Sequence, residues 1–245
     1  MKKNFTLISA TLITLFSFNA KAQDDKPQAK SYLTFLAGQS VPTGSFASSS
    51  YSDNNSGFAK TGLTIGLDAA VYIHKNLAIG ASFTFQDQGE LTQADAQALA
   101  NGYNASFSKD QTSVTTNNRY HNYFFMAGPQ YTFLYKNFAL DLRADAGIIK
   151  SVTTPSLLII FDYSPNSGQS YYQLSSNATA VAYGGSAALR YSLGDSWDVG
   201  LRLNYVNSSG LKIKNSGGDP GTTGRFQTNL PISVIQTTFG ITLKF

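Results

Sequence analysis

His74 and His121 are the only histidines among the 245 residues, and cysteine is absent. Thiol catalysis and thiolate metal sites are therefore excluded. An imidazole can act as a general base when a hydroxyl and a carboxylate stand beside it. His74, between Ile73 and Lys75-Asn76, reads as a solvent-facing turn residue. His121 lies beside Arg119, Tyr120 and Asn122, and the sequence places no serine and carboxylate against it. Asp53, Asn55 and Gly57 resemble the start of a calcium loop, but the twelfth position is Thr64 where a bidentate glutamate is required. The Gly-rich run Gly217 to Gly224 lacks the Gly-Lys-Ser/Thr ending of a phosphate loop. No metal cluster, dinucleotide fingerprint or nucleophile elbow is present, so the chain reads as a non-enzyme without cofactor, metal or catalytic residue.

A second set of charged residues is more informative: Asp68, Asp141, Arg143, Asp145, Arg190, Arg202 and Lys244. Each is flanked by apolar neighbours in a strict two-residue alternation. Near the C-terminus Phe239, Ile241, Leu243 and Phe245 share one parity while Thr238, Gly240, Thr242 and Lys244 share the other. Trp197, Val199, Leu201 and Leu203 oppose Asp198, Gly200, Arg202 and Asn204 in the same way. Successive side chains of a strand face opposite sides, so each segment has one apolar face and one polar face.

Eight such segments are read, over about 31–41, 61–73, 77–87, 119–135, 138–150, 179–193, 197–207 and 232–245. The stretch from Tyr120 to Tyr135 is ambiguous, because Phe124 and Met126 fall on the polar parity. Three tight connections, at His74-Lys75-Asn76, Lys136-Asn137 and Gly194-Asp195-Ser196, alternate with four long polar ones. Short turns on one side and long loops on the other mark an outer-membrane barrel, with the short side and both termini periplasmic. The long loops are rich in Ser, Asn, Gly and Thr. Thr92 to Asp95 and Asn101-Gly102 give a helix start and stop within the second loop. Leu157 to Tyr163 and Tyr171 to Leu174 predict a hairpin projecting from the third. Counting that hairpin as spanning gives ten strands, the second choice, but its second arm is far short of the roughly 9 to 11 residues a crossing needs.

The first 22 residues read as a cleaved signal peptide: Lys2 and Lys3, an apolar stretch from Phe5 to Phe18, then Ala20-Lys21-Ala22. Residues 23–30 then form a short periplasmic segment, and 31–245 the barrel with four long extracellular loops. The net charge of +4 is largely a property of the leader, since Lys2, Lys3 and Lys21 account for three of the 18 basic residues and none of the 14 acids lies there. The remaining 15 bases against 14 acids argue against a nucleic-acid partner.

A soluble sandwich would alternate too. The apolar parity, however, carries Tyr131, Phe133, Tyr135, Tyr191 and Trp197 beside the short turns, with Phe35, Phe85, Tyr123 and Tyr205 as a second aromatic girdle. Rings collect at the two membrane interfaces in this way. His121 then falls at headgroup depth.

Three motifs carry a family likeness. They are Gly38-Gln39-Ser40-Val41-Pro42-Thr43-Gly44-Ser45-Phe46 with Gly57 to Gly62, Ala182-Tyr183-Gly184-Gly185 through Tyr191, and Trp197 to Arg202. On these the segment from Ser31 to Phe245 resembles the outer-membrane β-barrel domain family of small OmpA/OmpX-type and PorT-like barrels. The resemblance implies that Phe245 is a C-terminal signal for the outer-membrane assembly machinery. It also raises a role in an envelope secretion or assembly complex. It indicates architecture, not activity.

An eight-stranded barrel has an interior only wide enough for side chains. The seven inward charges are thus expected to form an ion-paired network, or else to be separately solvated in a wet lumen. A plugged barrel acting as a structural or interaction protein through its loops is the leading functional expectation, with outer-membrane lipid and an envelope or extracellular protein as partners. The alternative is a narrow pore past Gly66, Gly80, Ser82, Gly184, Ser186, Gly200 and Gly240.

Overall fold

A computed structural model describes residues 28–51, 53, 55–89, 91–107, 112–161, 169–213, 215–216 and 229–245. The expected signal peptide, most of residues 23–30 and the Gly-rich run 217–224 lie outside the described residues. Strands β1 (Tyr32–Pro42), β2 (Lys60–His74) and β3 (Leu77–Gly89) come first, with a one-turn helix α1 (Gly44–Ala47) after β1. Helix α2 (Gln93–Phe107) and strand β4 (Thr112–Asn117) follow. Then come β5 (Tyr120–Tyr135), β6 (Phe138–Thr153), β7 (Ser156–Phe161), β8 (Gln169–Gln173), β9 (Ala178–Ser192) and β10 (Trp197–Ser208). Short strands β11 (Leu211–Lys212), β12 (Asn215–Ser216) and β13 (Asn229–Leu230) precede β14 (Ser233–Lys244).

Eight of these close into an antiparallel barrel in the order β1-β14-β10-β9-β6-β5-β3-β2, with β2 returning to β1. Their bounds lie within three residues of those expected from alternation. Closure gives every wall strand two hydrogen-bonded neighbours, the condition for β-structure in hydrocarbon. The pleat directs even-numbered side chains inward on every wall strand except β6. Cross-strand partners share a face, so the registers Leu134↔Ala139 and Ala139↔Arg190 move the inward set to odd numbers in β6 and back to even in β9.

The outward set is an apolar wall. Leu201 is 61% exposed, Ile79 58% and Phe239 52%, values that water would penalise and acyl chains favour. Tyr131, Phe133, Tyr135, Tyr191 and Trp197 form the aromatic girdle near the tight turns. Phe35 does not belong to the opposite girdle: it lies three residues into β1 at the turn end, paired with Leu67 and Ile241. Parity alone gives a side, while depth depends on where along the strand the residue falls.

At the loop end one half of the wall continues outward. The four-stranded sheet β12-β8-β7-β4 repeats the wall order β10-β9-β6-β5. It includes the hairpin expected from Leu157 onward, so eight strands cross rather than ten. The α2 helix packs on this sheet through Leu99 and Tyr103 against Leu157, Ile159 and Val114. Thr92 caps it, accepting from Asp95 N–H at 3.2 Å, while Asp95 accepts from Thr92 N–H at 3.0 Å and from the Thr92 hydroxyl at 2.7 Å. Asp therefore takes the reciprocal role usually filled by Glu in a capping box.

Candidate functional site

The barrel interior is ionic toward the turn end, and above the ions polar amides and apolar side chains share the lumen. All seven charges singled out from the sequence point inward, and Lys244 is the one that is not fully buried. Asp198, on the inward parity of β10, joins them. It stands two residues after the tight turn, where turn and lumen look alike in sequence, and the alternation alone does not single it out as a lumen charge. With Asp198 the set holds four acids and four bases.

These eight residues form two strings. In the first, Lys244 Nζ is 2.6 Å from Asp198 Oδ1, whose Oδ2 accepts from Arg190 Nη1 at 2.7 Å. Arg190 then grips Asp141 in a fork, Nε to Oδ2 at 2.7 Å and Nη2 to Oδ1 at 3.1 Å. In the second, Asp145 accepts from Arg143 Nε at 2.7 Å, and Arg143 Nη1 lies 2.8 Å from Asp68 Oδ1, an ion pair off the angle of a hydrogen bond. Arg202 Nη1 completes the string by donating to Asp68 Oδ2 at 2.7 Å. Each string holds two acids and two bases, so each is neutral. Tyr32 joins them: its hydroxyl stands 3.2 Å from Asp68 Oδ2, and its ring stacks under the Arg190 guanidinium at 4.1 Å. Pairing in both strings offsets the large desolvation cost of buried charge.

Glycines make room for these head groups. A Cβ on Gly80 would stand 2.5 Å from Arg143 Nη1, and one on Gly240 would stand 2.6 Å from Thr34 Cγ2. At these two glycines the space is occupied by the Arg143 and Thr34 side chains. A void of about 10 Å³ remains between Tyr32, Asp68, Asp141, Arg190 and Arg202, about enough for one water molecule.

Above the ions lies a belt of amides and hydroxyls. Asn204 Nδ2 donates to Gln236 Oε1 at 3.3 Å, Asn122 Nδ2 donates to Gln86 Oε1 at 3.2 Å, and Gln86 Nε2 donates to Ser40. Beside it, at overlapping heights, Phe124, Met126, Ile149, Val206 and Val234 meet in one apolar cluster with Phe46 of α1; on β5 Asn122 stands nearer the loop end than Phe124 and Met126. Phe46 packs edge-on against Tyr120 with centroids 5.0 Å apart, and Tyr120 donates to the Gly57 carbonyl at 2.7 Å. Phe124 and Met126 blurred the β5 alternation because the lumen changes from ionic to apolar along its axis.

Outside the barrel, near the loop end, His121 has both groups that the sequence could not place. Its Nδ1 is 2.9 Å from Thr153 Oγ1, and its Nε2 is 3.4 Å from Asp87 Oδ1. The composition is that of a hydroxyl, base and acid, but Thr153 donates its one proton to the Arg119 carbonyl at 2.8 Å. The hydroxyl must therefore accept from the ring, the reverse of nucleophile activation. Asp53 and Asn55 form a local turn, Asn55 N–H donating to Asp53 Oδ1 at 2.8 Å. Among the described residues no group of three or more acidic, His or Cys side chains could hold a metal ion. Phe245, 71% exposed, follows β14 at the turn side.

No protein-family model and no curated protein matches the chain. Solved structures do. Neisserial surface protein A superposes with a TM-score of 0.48 at 12% identity, covering 90% of this chain and 100% of its own. Ail, the attachment invasion locus protein of Yersinia pestis, gives 0.44 at 12%, covering 89% and 100%. A major outer membrane protein from Thermus thermophilus gives 0.41 at 13%, covering 88% and 99%. These likenesses concern the fold alone. The closed wall, its apolar outer face and its filled interior define the class: a transmembrane eight-stranded antiparallel β-barrel.

Proposed function

We propose that this barrel sits in the bacterial outer membrane as a non-conducting structural and interaction protein, working through the extracellular elements displayed above its closed lumen. One observation carries the reading. The interior is filled by two neutral ion strings and, above them, by an amide belt beside an apolar plug that packs on Phe46. An ion would have to pass the amides and the plug and then break buried ion pairs. The large folded sheet and helix at the loop end offer a surface for a protein partner in the envelope or outside it. Neither the Thr153 and His121 geometry nor the lumen supplies an activated nucleophile, which supports a non-enzymatic role. Biogenesis would draw on the outer-membrane assembly machinery, with Phe245 as its recognition residue.

Planar-bilayer recording on the folded mature barrel tests the reading. The expected trace is silent, with and without Arg190→Leu plus Arg202→Leu. Discrete channels whose conductance changes in the double variant would replace it with the narrow-pore function.

A further inference from the structure

Charge is almost absent from the outward face of the wall. Among the described outward positions of the eight strands, Asp87 on β3 and Lys150 on β6 are the charged ones. His121 on β5 stands beside Asp87 in the register, and Arg119 immediately precedes β5. All four gather on adjacent strands at the loop end, while the same height elsewhere carries uncharged Gln39, Thr61, Thr179, Asn207 and Ser233.

The cluster is ordered. Arg119 Nε lies 2.9 Å from Asp87 Oδ1, which fixes one edge of the guanidinium. The terminal nitrogens of Arg119 and the ammonium of Lys150 have no ion-pair or hydrogen-bond partner among the described residues. Lys150 pairs across the sheet with Tyr123, one step below His121. Directly beneath, Phe83 stacks on Tyr123 at 5.7 Å, and Phe85 contacts both Tyr123 and His121, at 5.2 and 6.0 Å. Aromatic side chains of this kind mark the boundary between acyl chains and headgroups. Lys150 and the free edge of the Arg119 guanidinium therefore sit where headgroup phosphates lie.

We propose that Arg119 and Lys150, steadied by Asp87 and His121, form a one-sided binding site for the phosphate of an anionic lipid in the outer leaflet. The guanidinium fork takes two phosphate oxygens and Lys150 adds a point charge from the neighbouring strand. The acyl chains lie along the Phe83, Phe85 and Tyr123 wall. Asp87 offsets one of the two cations, so Asp87, Arg119 and Lys150 together present one net positive charge to the ligand.

The test titrates the full mature barrel in neutral detergent with dihexanoyl phosphatidic acid, following backbone amide shifts. Parallel titrations use dihexanoyl phosphatidylcholine and inorganic phosphate. Saturable shifts confined to residues around Asp87, Arg119 to Tyr123 and Lys150 are expected with phosphatidic acid. Arg119→Gln plus Lys150→Gln should weaken its binding about tenfold or more, since two charge-assisted contacts are lost. Both side chains lie outside the lumen, so unchanged shifts at Arg190 and Arg202 would confirm that the variant folds. Equal binding of phosphatidylcholine, or a double variant that titrates like the parent, overturns the proposal. Inorganic phosphate binding as tightly as phosphatidic acid would make this a free-phosphate site and overturn its lipid assignment.

Discussion

Asp68 and Arg202, 134 positions apart in sequence, meet in the lumen at 2.7 Å. Arg143 holds the other oxygen of the same carboxylate from the far side of the barrel. Neither contact could be read from local spacing, because each depends on the wall closing.

Arg190→Leu should be the most costly single change. It strips Asp141 of both fork contacts, leaving that buried carboxylate without a charged partner, while Asp198 keeps only Lys244. A loss of about 3 to 5 kcal/mol is expected, seen as a lower urea midpoint followed by Trp197 fluorescence. An unchanged midpoint would mean that the charges are separately solvated.

Leu201→Arg probes the outer face. Leu201 is flanked by Phe239 and Leu189 in the register. In hydrocarbon the substitution should cost about 2 to 4 kcal/mol near the midplane. Thr115→Arg on β4, outside the membrane, should stay within about 0.5 kcal/mol. Equal effects at both positions, measured by unfolding in lipid, would argue against a lipid-facing wall.

Gly80→Val pushes a side chain into the Arg143 head group. Overpacking of this kind costs about 1 to 3 kcal/mol. Because the clash is with Arg143 itself, the loss should be smaller when Arg143→Ala is already present. A double-mutant cycle with purely additive losses would show that Gly80 does not serve the network.

The α2 cap carries a pH signature. Burial opposes ionisation of Asp95, but the Thr92 N–H, the Thr92 hydroxyl and Lys60 together outweigh it and hold the carboxyl below the ordinary aspartate range. A depressed folded value means that this stabilisation is complete above the unfolded pKa and disappears as pH falls through the folded one. Amide-exchange protection of residues 93–107 should therefore hold from neutral pH to the ordinary carboxylate range and decline below it. Thr92→Ala should remove about 1 kcal/mol of it at neutral pH. Protection that is indifferent to the substitution would refute the cap.

The wall strands were legible because alternation between lipid and lumen writes itself into every second residue. The ionic layer was legible for the same reason, since Asp141, Arg143 and Asp145 can share a face only if they point inward. What was not legible depends on depth or on contacts across strands. Asp198 hides beside a turn, and the apolar plug places Phe124 and Met126 on a face that the lower lumen had marked as polar. The β4 segment Thr-Ser-Val-Thr-Thr-Asn has no strong pattern of its own and becomes a strand by pairing with β7. The Asp87, His121 and Thr153 contacts need the β3-β5-β6 register, which no single segment encodes.

The pairing of β1 with β14 has a further consequence. From Tyr32↔Lys244 to Pro42↔Val234 this seam is a continuous ladder without a register shift, and Phe245 N–H donates to the Ser31 carbonyl at 2.9 Å. The wall is a ring, and its numbering begins at an arbitrary point on the circumference. Bridging Ser31 to Phe245 and reopening the chain at Lys136-Asn137 would leave each strand between the same two neighbours. What nature transcribes as a line is, to the bilayer, a circle with no first strand.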